Sequence, residues 1–324
     1  MSWGLVLQVL VSGLAAGAAY GLVGMGYSLI YRMTAVLDFA HGDLVNLGIF
    51  AFLLALGGGG AVAQVGLPVG ILLLAAGVGV AVAMVGAMLL FRLAVEPFGP
   101  ARAVGWIAAT AAAGLLARGL IGAWFSAESY SVPDVLPLQG LGRNGLVDLP
   151  GGGVLELRNL AVLGVALALA LGFDLFVARS RPGKAMRAAA EAPDTARLSG
   201  IDTERLQLLA WAIAGVLTAV AGLLLAPARP VTLQLGVVLG LKGTAAAVLG
   251  RLGSARGAVV AGLCLGVLES VVTSLFVPAF HLGSLNLPQL GPLPGMHDVL
   301  ALLLLVLALA LLPGRLRLAA EAPE

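Results

Sequence analysis

Three ionisable side chains crowd into one short run, Asp38-Phe-Ala-His41-Gly-Asp43, between long apolar stretches. Two carboxylates and an imidazole could hold a metal ion, pass a proton, or form a polar gate. The metal reading is thin, because three ligands stand together with no second cluster to complete a site. A catalytic reading lacks a nucleophile and an orienting partner. Two readings stay open. In one, Asp38, His41 and Asp43 shape a path or gate among apolar helices, where unpaired charge is costly. In the other, they form a polar turn that caps two helices at the cytoplasmic interface, with Gly42 permitting the bend.

Lys242 and Glu269, which are also candidates for a path or gate, lie inside apolar runs of their own, where charged groups usually face a bundle interior or a water-filled path. A lone charge at mid-bilayer costs ~2.5–3.5 kcal/mol on insertion scales. The two runs are joined by a short turn near Arg251 to Arg256, so they should pack as antiparallel neighbours. Counted from the outer ends of their spans, both groups sit ~10–12 Å below the outer surface of the apolar slab. They are therefore expected to meet, directly or through one water. The alternative has Lys242 snorkelling outward on its long stem and Glu269 bonding to backbone or hydroxyl groups elsewhere. His281 and His297 flank an external loop rich in Pro and Gly and read as solvated.

Residues 179–205 form the most charged stretch. Six of the chain's 18 basic residues fall there, namely Arg179, Arg181, Lys184, Arg187, Arg197 and Arg205, with the acids Glu191, Asp194, Asp202 and Glu204. A polar insert of this length between membrane spans has no lipid to face, and it suits a soluble partner. Ordinary connections run about 2–8 residues. The pattern parses into short helices. Pro182 suits a first turn, and Pro193 restarts a helix that Asp194 and Thr195 favour. Gly200 fits the position just past a helix end, and Asp202 fits an N-cap. Met186, the alanines and Leu198 supply a modest apolar face.

The elements that must position these groups are set by composition. Hydrophobic residues make up 60% of 324 residues, and mean hydropathy is +1.06. Apolar stretches near 20 residues recur along the chain, which indicates an all-α, polytopic transmembrane helical bundle. The strands of a β-barrel would alternate apolar and polar residues, and these runs do not. About nine spans are expected, near 4–30, 42–57, 67–92, 102–122, 159–178, 206–226, 235–250, 257–277 and 297–313. The seventh is short and interrupted by Gly240 and Gly243, so a re-entrant or broken helix fits it too. Arg32, Arg92, Arg102, the basic residues of 179–205, Arg251, Arg256, Arg315 and Arg317 gather on one side, against Arg143, Arg158 and Arg229 on the other. By the positive-inside rule the first side is cytoplasmic, with the N-terminus outside and the C-terminus inside. The 123–158 loop is external, and its Pro residues and the Asn144-Gly145 pair suggest a small hairpin. Glycines recur every four residues at Gly13, Gly17 and Gly21 and again at Gly236 and Gly240, as in close helix seams. A net charge of +2 implies no nucleic acid partner. The single Cys264 excludes an internal disulfide. No G-x-x-x-x-G-K-[ST] motif is present, so the chain carries no such ATP site.

Four blocks together resemble a known family. They are GLVGMGYSLIYRMTAVLDFAHGDLVNLG at 21–48, GKAMRAAAEAPDTARLSGID at 183–202, AWAIAGVLTAVAGLLLA at 210–226 and GLKGTAAAVLGRLGSARGAVVAGLCLGVLES at 240–270. In this order they are similar to the integral-membrane permease subunits of branched-chain amino acid ABC importers. Two places depart from the family pattern. Gly250-Arg251 stands where a Gly-Gly pair is usual, and Glu191 is followed by Ala-Pro where wider importers show E-A-A-x-x-x-G. The resemblance implies a single transmembrane domain over 1–324 in a bacterial plasma (inner) membrane, in contact with lipid. It implies a pore shared with a second homologous permease, two cytoplasmic ATPase subunits and an extracytoplasmic solute-binding protein. ATP would act on the partner subunits, with no cofactor held by this chain. Segment 183–200 would couple to the ATPases, with Lys184, Arg187, Glu191, Asp194, Arg197 and Gly200 as candidate contacts. Branched-chain or other small amino acids are the implied cargo. Relatives that move urea, amides or other small solutes keep that choice open, as does a stand-alone channel or secondary carrier. An intramembrane enzyme would need a nucleophile–base pair or metal constellation on facing spans, and the sequence offers none.

The topology is testable by labelling. With Cys264 removed, single cysteines at Ser129 and Asn144 are expected to react with an impermeant reagent in intact cells. Cysteines at Thr195 and Leu316 are expected to stay protected, and outside labelling at Thr195 would invert the orientation.

Overall fold

In hydrocarbon a chain must satisfy its own backbone polar groups, so apolar runs of this length fold as helices. The computed structural model describes residues 3–35, 37–57, 67–98, 103–125, 129–136, 145–149 and 152–275, together with Val299 and Leu303. Apart from those last two residues, the ninth span expected at 297–313 lies outside the described residues, as do Asn144, His281, His297 and Leu316. The first four helices are α1 (Trp3–Thr34), α2 (His41–Ala55), α3 (Val69–Leu90) and α4 (Ala103–Trp124). A short hairpin follows, β1 (Leu146–Leu149) and β2 (Gly153–Glu156). Then come α5 (Leu157–Arg179), α6 (Arg181–Glu191), α7 (Pro193–Leu198), α8 (Thr203–Leu225), α9 (Leu235–Leu249) and α10 (Ala255–Leu275). Helix α3 runs on through a π-helical turn at Phe91–Val95 and a 3-10 turn at Glu96–Phe98.

Among the described residues, six helical stretches are long and apolar enough to cross a membrane. They lie in α1, α3, α4, α5, α8 and α10. The stretches expected at 42–57 and 235–250 are helices of only 15 residues each, α2 and α9. Fifteen residues rise about 22 Å, short of a ~30 Å hydrocarbon core. The bundle is organised in layers. In their most apolar windows, 72% of α8 and half of α1 are buried, against 17–22% for α3, α4, α5 and α10. Helices α1 and α8 are therefore the inner pair; α2 packs against α8, α9 packs against α1, and α2 and α9 pack against each other.

Glycine sets the closest approaches. Gly13, Gly17 and Gly21 of α1 lie against Val267, Gly262 and Val259 of α10, with no room for a side chain. A Cβ on Gly17 would stand 2.6 Å from the Gly262 carbonyl oxygen. This is the every-fourth-residue seam expected in lipid, where packing replaces the hydrophobic effect between helices. The second expected pair, Gly236 and Gly240 on α9, faces Gly42 of α2.

The two ends of the bundle differ. At one end the β1–β2 hairpin pairs Leu146 with Glu156 and Leu149 with Gly153. Its Val154 N–H donates to Gln8 Oε1 at 3.1 Å, which ties it to the start of α1. Tyr130 and Val231 exchange backbone hydrogen bonds of 2.8 and 2.9 Å at this end, and Arg158 pairs with Asp134 at 3.1 Å. At the other end, basic residues knit the helix termini. Arg92 bonds Glu96 and Glu204 at 2.8 and 2.6 Å, and Arg256 bonds Asp174 at 2.7 Å.

The seam gives a direct test. Gly17→Val is expected to lower stability in detergent by about 1–3 kcal/mol, the usual cost of overpacking. Gly119→Ala, at a helix position with nothing within 4 Å, should be neutral or stabilising. Thermal melting followed by fluorescence-detected gel filtration separates the two, and equal melting would discount the seam.

Candidate functional site

The three ionisable side chains of the Asp38–Asp43 run are buried, while Phe39 among them is exposed. Helix α1 ends where Ala35 turns to φ 54, with its N–H bonded to Tyr31. The chain then folds back, and α2 begins at His41 beside Gly26 of α1. Gly26 precedes Thr34 by eight residues, so His41 stands about 12 Å in from the end of α1. Thr218, its other neighbour, is fifteen residues into α8. Helix α2 therefore starts partway along α1. The reason is the length of α2: a half-length helix that packs on α8 and α9 must start partway across.

The cluster is tightly built. Asp38 is buried, and its Oδ1 accepts from the Ala40 N–H at 2.9 Å, which fixes the turn. Its Oδ2 faces His41 Nδ1 at 3.6 Å. On the other side of the ring, Nε2 meets Thr218 Oγ1 at 2.7 Å, and Tyr27 packs against the ring at 4.3 Å between centroids. Asp43, in the first turn of α2, pairs with Arg118 of α4. Asp43 Oδ1 is 2.7 Å from Arg118 Nε, and Arg118 also donates to Oδ2 at 3.3 Å. A carboxylate in the first turn is further favoured by the helix dipole. Arg118 was absent from the sequence expectations. Its signal was available: it is a lone arginine within the apolar run of α4, the criterion that singled out Lys242 and Glu269.

The starts of α2 and α9 meet here. A Cβ on Gly42 would lie 2.5 Å from the Gly236 carbonyl oxygen, so the two backbones touch. Asn46 locks the junction. Its Nδ2 donates to the Leu233 carbonyl at 2.6 Å, and its Oδ1 accepts from the Gly236 N–H at 2.9 Å. Asn46 thereby caps the first turn of α9, whose preceding residue Gln234 makes no side-chain cap.

Lys242 and Glu269 form the contact expected from their depths. Lys242 Nζ lies 2.8 Å from Glu269 Oε1, 3.4 Å from the Tyr20 hydroxyl and 5.0 Å from the centre of the Tyr20 ring. Lys242 is only 1% exposed. It does not snorkel. The ion pair, the phenol and the ring face together replace the lost water.

The charged insert folds into α6 and α7 at the basic end of the bundle. Ser180 caps α6 by accepting from the Gly183 N–H at 3.0 Å, and Pro182 occupies the first turn. Pro193 opens α7. Gly200 takes φ +79, and the bonds Gly200 N–H to Arg197 and Ile201 N–H to Ala196 close a Schellman motif. Asp202 caps α8 through the Arg205 N–H. Met186, Ala189 and Ala196 are buried against the bundle. Leu198 is not part of that face, being 90% exposed. Arg187 donates to the Ala178 carbonyl at the end of α5, and Arg197 to Thr203 Oγ1. Glu191 pairs with Arg32 of α1 at 3.5 Å, and Arg197 lies 3.8 Å from Asp194. Lys184 and Gly200 are exposed.

The expected site residues thus fall into three places: Asp38, His41 and Asp43 at the α2–α9 junction, Lys242 and Glu269 between α9 and α10, and the rest on α6 and α7. Among the described residues no three His, Cys, Asp or Glu side chains come together as a metal site. Membrane-length helices, two half-length helices meeting inside them and an amphipathic insert at one end define a helical membrane permease. The chain belongs to the family of the branched-chain amino acid transport system permease component, which matches residues 9–309. It is 30% identical over 276 residues to the high-affinity branched-chain amino acid transport system permease protein BraD of Pseudomonas aeruginosa, covering 83% of this chain and 87% of that one. Against LivH of Escherichia coli K12, of the same description, identity is 27% over 310 residues, 95% of this chain and 94% of the relative. A probable branched-chain amino acid permease, LivH of Methanocaldococcus jannaschii, is 28% identical over 268 residues, 82% of this chain and 80% of its own.

The ion pair can be tested by a double-mutant cycle. Lys242→Met or Glu269→Gln alone strands a buried charge and is expected to cost about 3 kcal/mol or more. The double variant should recover part of that loss. Simple additivity of the two single effects in thermal melting would mean that the pair is not coupled.

Proposed function

We propose that this chain is the membrane subunit of an ATP-driven importer of branched-chain or other small amino acids. It would work in a bacterial inner membrane with a second homologous permease, two cytoplasmic ATPases and an external binding protein. The chain would cross about nine times, with its N-terminus outside and the α6–α7 end in the cytoplasm. The gathering of Arg32, Arg92, Arg256 and the α6–α7 arginines at one end supports this orientation. ATP would bind the partners alone.

The observation that carries this reading is how α6 and α7 are mounted. They lie outside the bundle, yet α6 touches α1, α5 and α8. Polar links join them to the inner pair: Glu191 to Arg32 of α1, and Arg197 to Thr203 of α8. Their outer surface presents Leu198 and Asp194 to the surroundings. A push on this surface would tilt α1 and α8, which hold the α2–α9 junction between them. Opening that junction would expose the Asp38, His41, Asp43 and Arg118 groups and the helix starts beside them. Broken helices that present their N-termini inside a membrane commonly receive anionic groups of a substrate, and an amino-acid carboxylate is such a group.

Reconstitution with candidate partners tests this. ATP-dependent uptake is expected for leucine, isoleucine or valine, and not for urea or acetamide. Arg187→Glu combined with Glu191→Lys should abolish solute-stimulated ATP hydrolysis while membrane insertion stays intact. Normal coupling in that variant would remove α6 from the mechanism, and uptake without ATP would favour a stand-alone carrier.

A further inference from the structure

A second polar site opens at the α6 end, away from the α2–α9 junction. It is a cleft of about 550 Å³ between α1, α5, α6 and the turn before α10. That volume suits a small solute. Arg32, Arg187 and Arg256 line it with Asp174 and Glu191. Asp174 is held by Arg256 in a two-point pair at 2.8 and 2.7 Å. Arg32 and Glu191 are held only loosely, 3.5 Å apart across the gap between α1 and α6. The wall is apolar, formed by Leu29, Phe173 and Val177. Ser28 also lines it, and its hydroxyl is fully buried with no hydrogen-bond partner. Leaving a buried hydroxyl unmet costs about 1–3 kcal/mol.

A cation, an anion, an unmet hydroxyl and an aliphatic wall in one cleft match the parts of an aliphatic amino acid. We propose that this cleft binds the imported amino acid from the cytoplasmic side and restrains transport. The carboxylate would pair with Arg32 and accept from Ser28 Oγ. The ammonium would pair with Glu191, and the side chain would lie on Leu29, Phe173 and Val177. The ligand inserts into the loose Arg32–Glu191 pair and replaces one long contact by two short charge-assisted ones. The solute thereby replaces the direct link between α6 and α1, so a push on α6 reaches α1 less directly and the junction is driven less. Taking an amino acid as ligand rests on the transport reading above.

The test uses the assembled transporter in liposomes, with ATP enclosed and the binding protein outside. Enclosed leucine is expected to lower the initial rate of labelled leucine uptake. Leucinol, which lacks the carboxylate, and isovalerate, which lacks the ammonium, should not. Ser28→Ala removes one charge-assisted hydrogen bond and should raise the half-inhibiting leucine concentration by about tenfold. Its uptake without enclosed leucine should match the wild type. Equilibrium dialysis of leucine against the complex without binding protein should show weaker binding for Ser28→Ala and Arg32→Gln. The proposal is overturned if enclosed leucine leaves a working transporter unaffected. It is equally overturned if both variants bind as the wild type does, or if isovalerate or phosphate inhibits as well as leucine. Absence of amino-acid uptake under every condition would defeat the transport reading instead, and the dialysis would still decide whether the cleft binds leucine.

Discussion

Charge that is carried into hydrocarbon has to be answered inside the protein, and that constraint orders this molecule. Asp43 and Arg118 answer each other between α2 and α4, and Lys242 and Glu269 do so between α9 and α10. Each pair joins a half-length helix to a long one. Helices α2 and α9 are too short to be held by the two faces of a membrane, so their depth is set by side contacts. The ion pairs supply the directional part of those contacts and glycine supplies the rest. Replacing either pair by apolar groups could leave the bundle stable, since buried ion pairs seldom add net stability. Their value lies in specifying where the short helices sit.

Close backbone approach is the complement of that pinning. The α1–α10 seam is a close contact at three glycines over about two turns, and the contact of Gly42 with Gly236 and Gly240 is a single crossing at the helix starts. A seam distributed along two long helices is hard to open. A one-point crossing flanked by Asn46 hydrogen bonds can part with few losses. The molecule thus has a firm wall and a separable junction built from the same residue type. Difference in extent, not in chemistry, distinguishes them.

Polar links run from α6 and α7 to both inner helices, besides the one from Arg187 to the Ala178 carbonyl of α5. Arg32 and Thr203 are the receiving residues, at the ends of α1 and α8. Helix ends are the points at which a small displacement gives the largest tilt. The cleft under α6 sits on the same route, so a solute lodged there acts on the link itself. The proposed drive and restraint would then act at one end of the bundle, far from the hairpin and the Tyr130–Val231 bridge at the other.

Much of this was legible in the residues, and the limits are physical. The apolar runs became helices because backbone satisfaction in lipid leaves little choice. Pro182, Pro193, Gly200 and Asp202 marked the breaks of the insert because capping acts within one turn. The Lys242–Glu269 contact could be read because a short turn joins its two helices, so depth followed from counting. Nothing local placed His41 within the bundle, chose Arg118 as the partner of Asp43, or turned Leu198 outward while Met186 turned in. Those outcomes depend on which helices lie side by side and how far each is shifted along its axis. The sequence by itself determined elements, caps and the polarity of the two ends. Only tertiary packing decided the depth of the short helices and the pairing of distant charges, because these are set by contacts between segments and not within them.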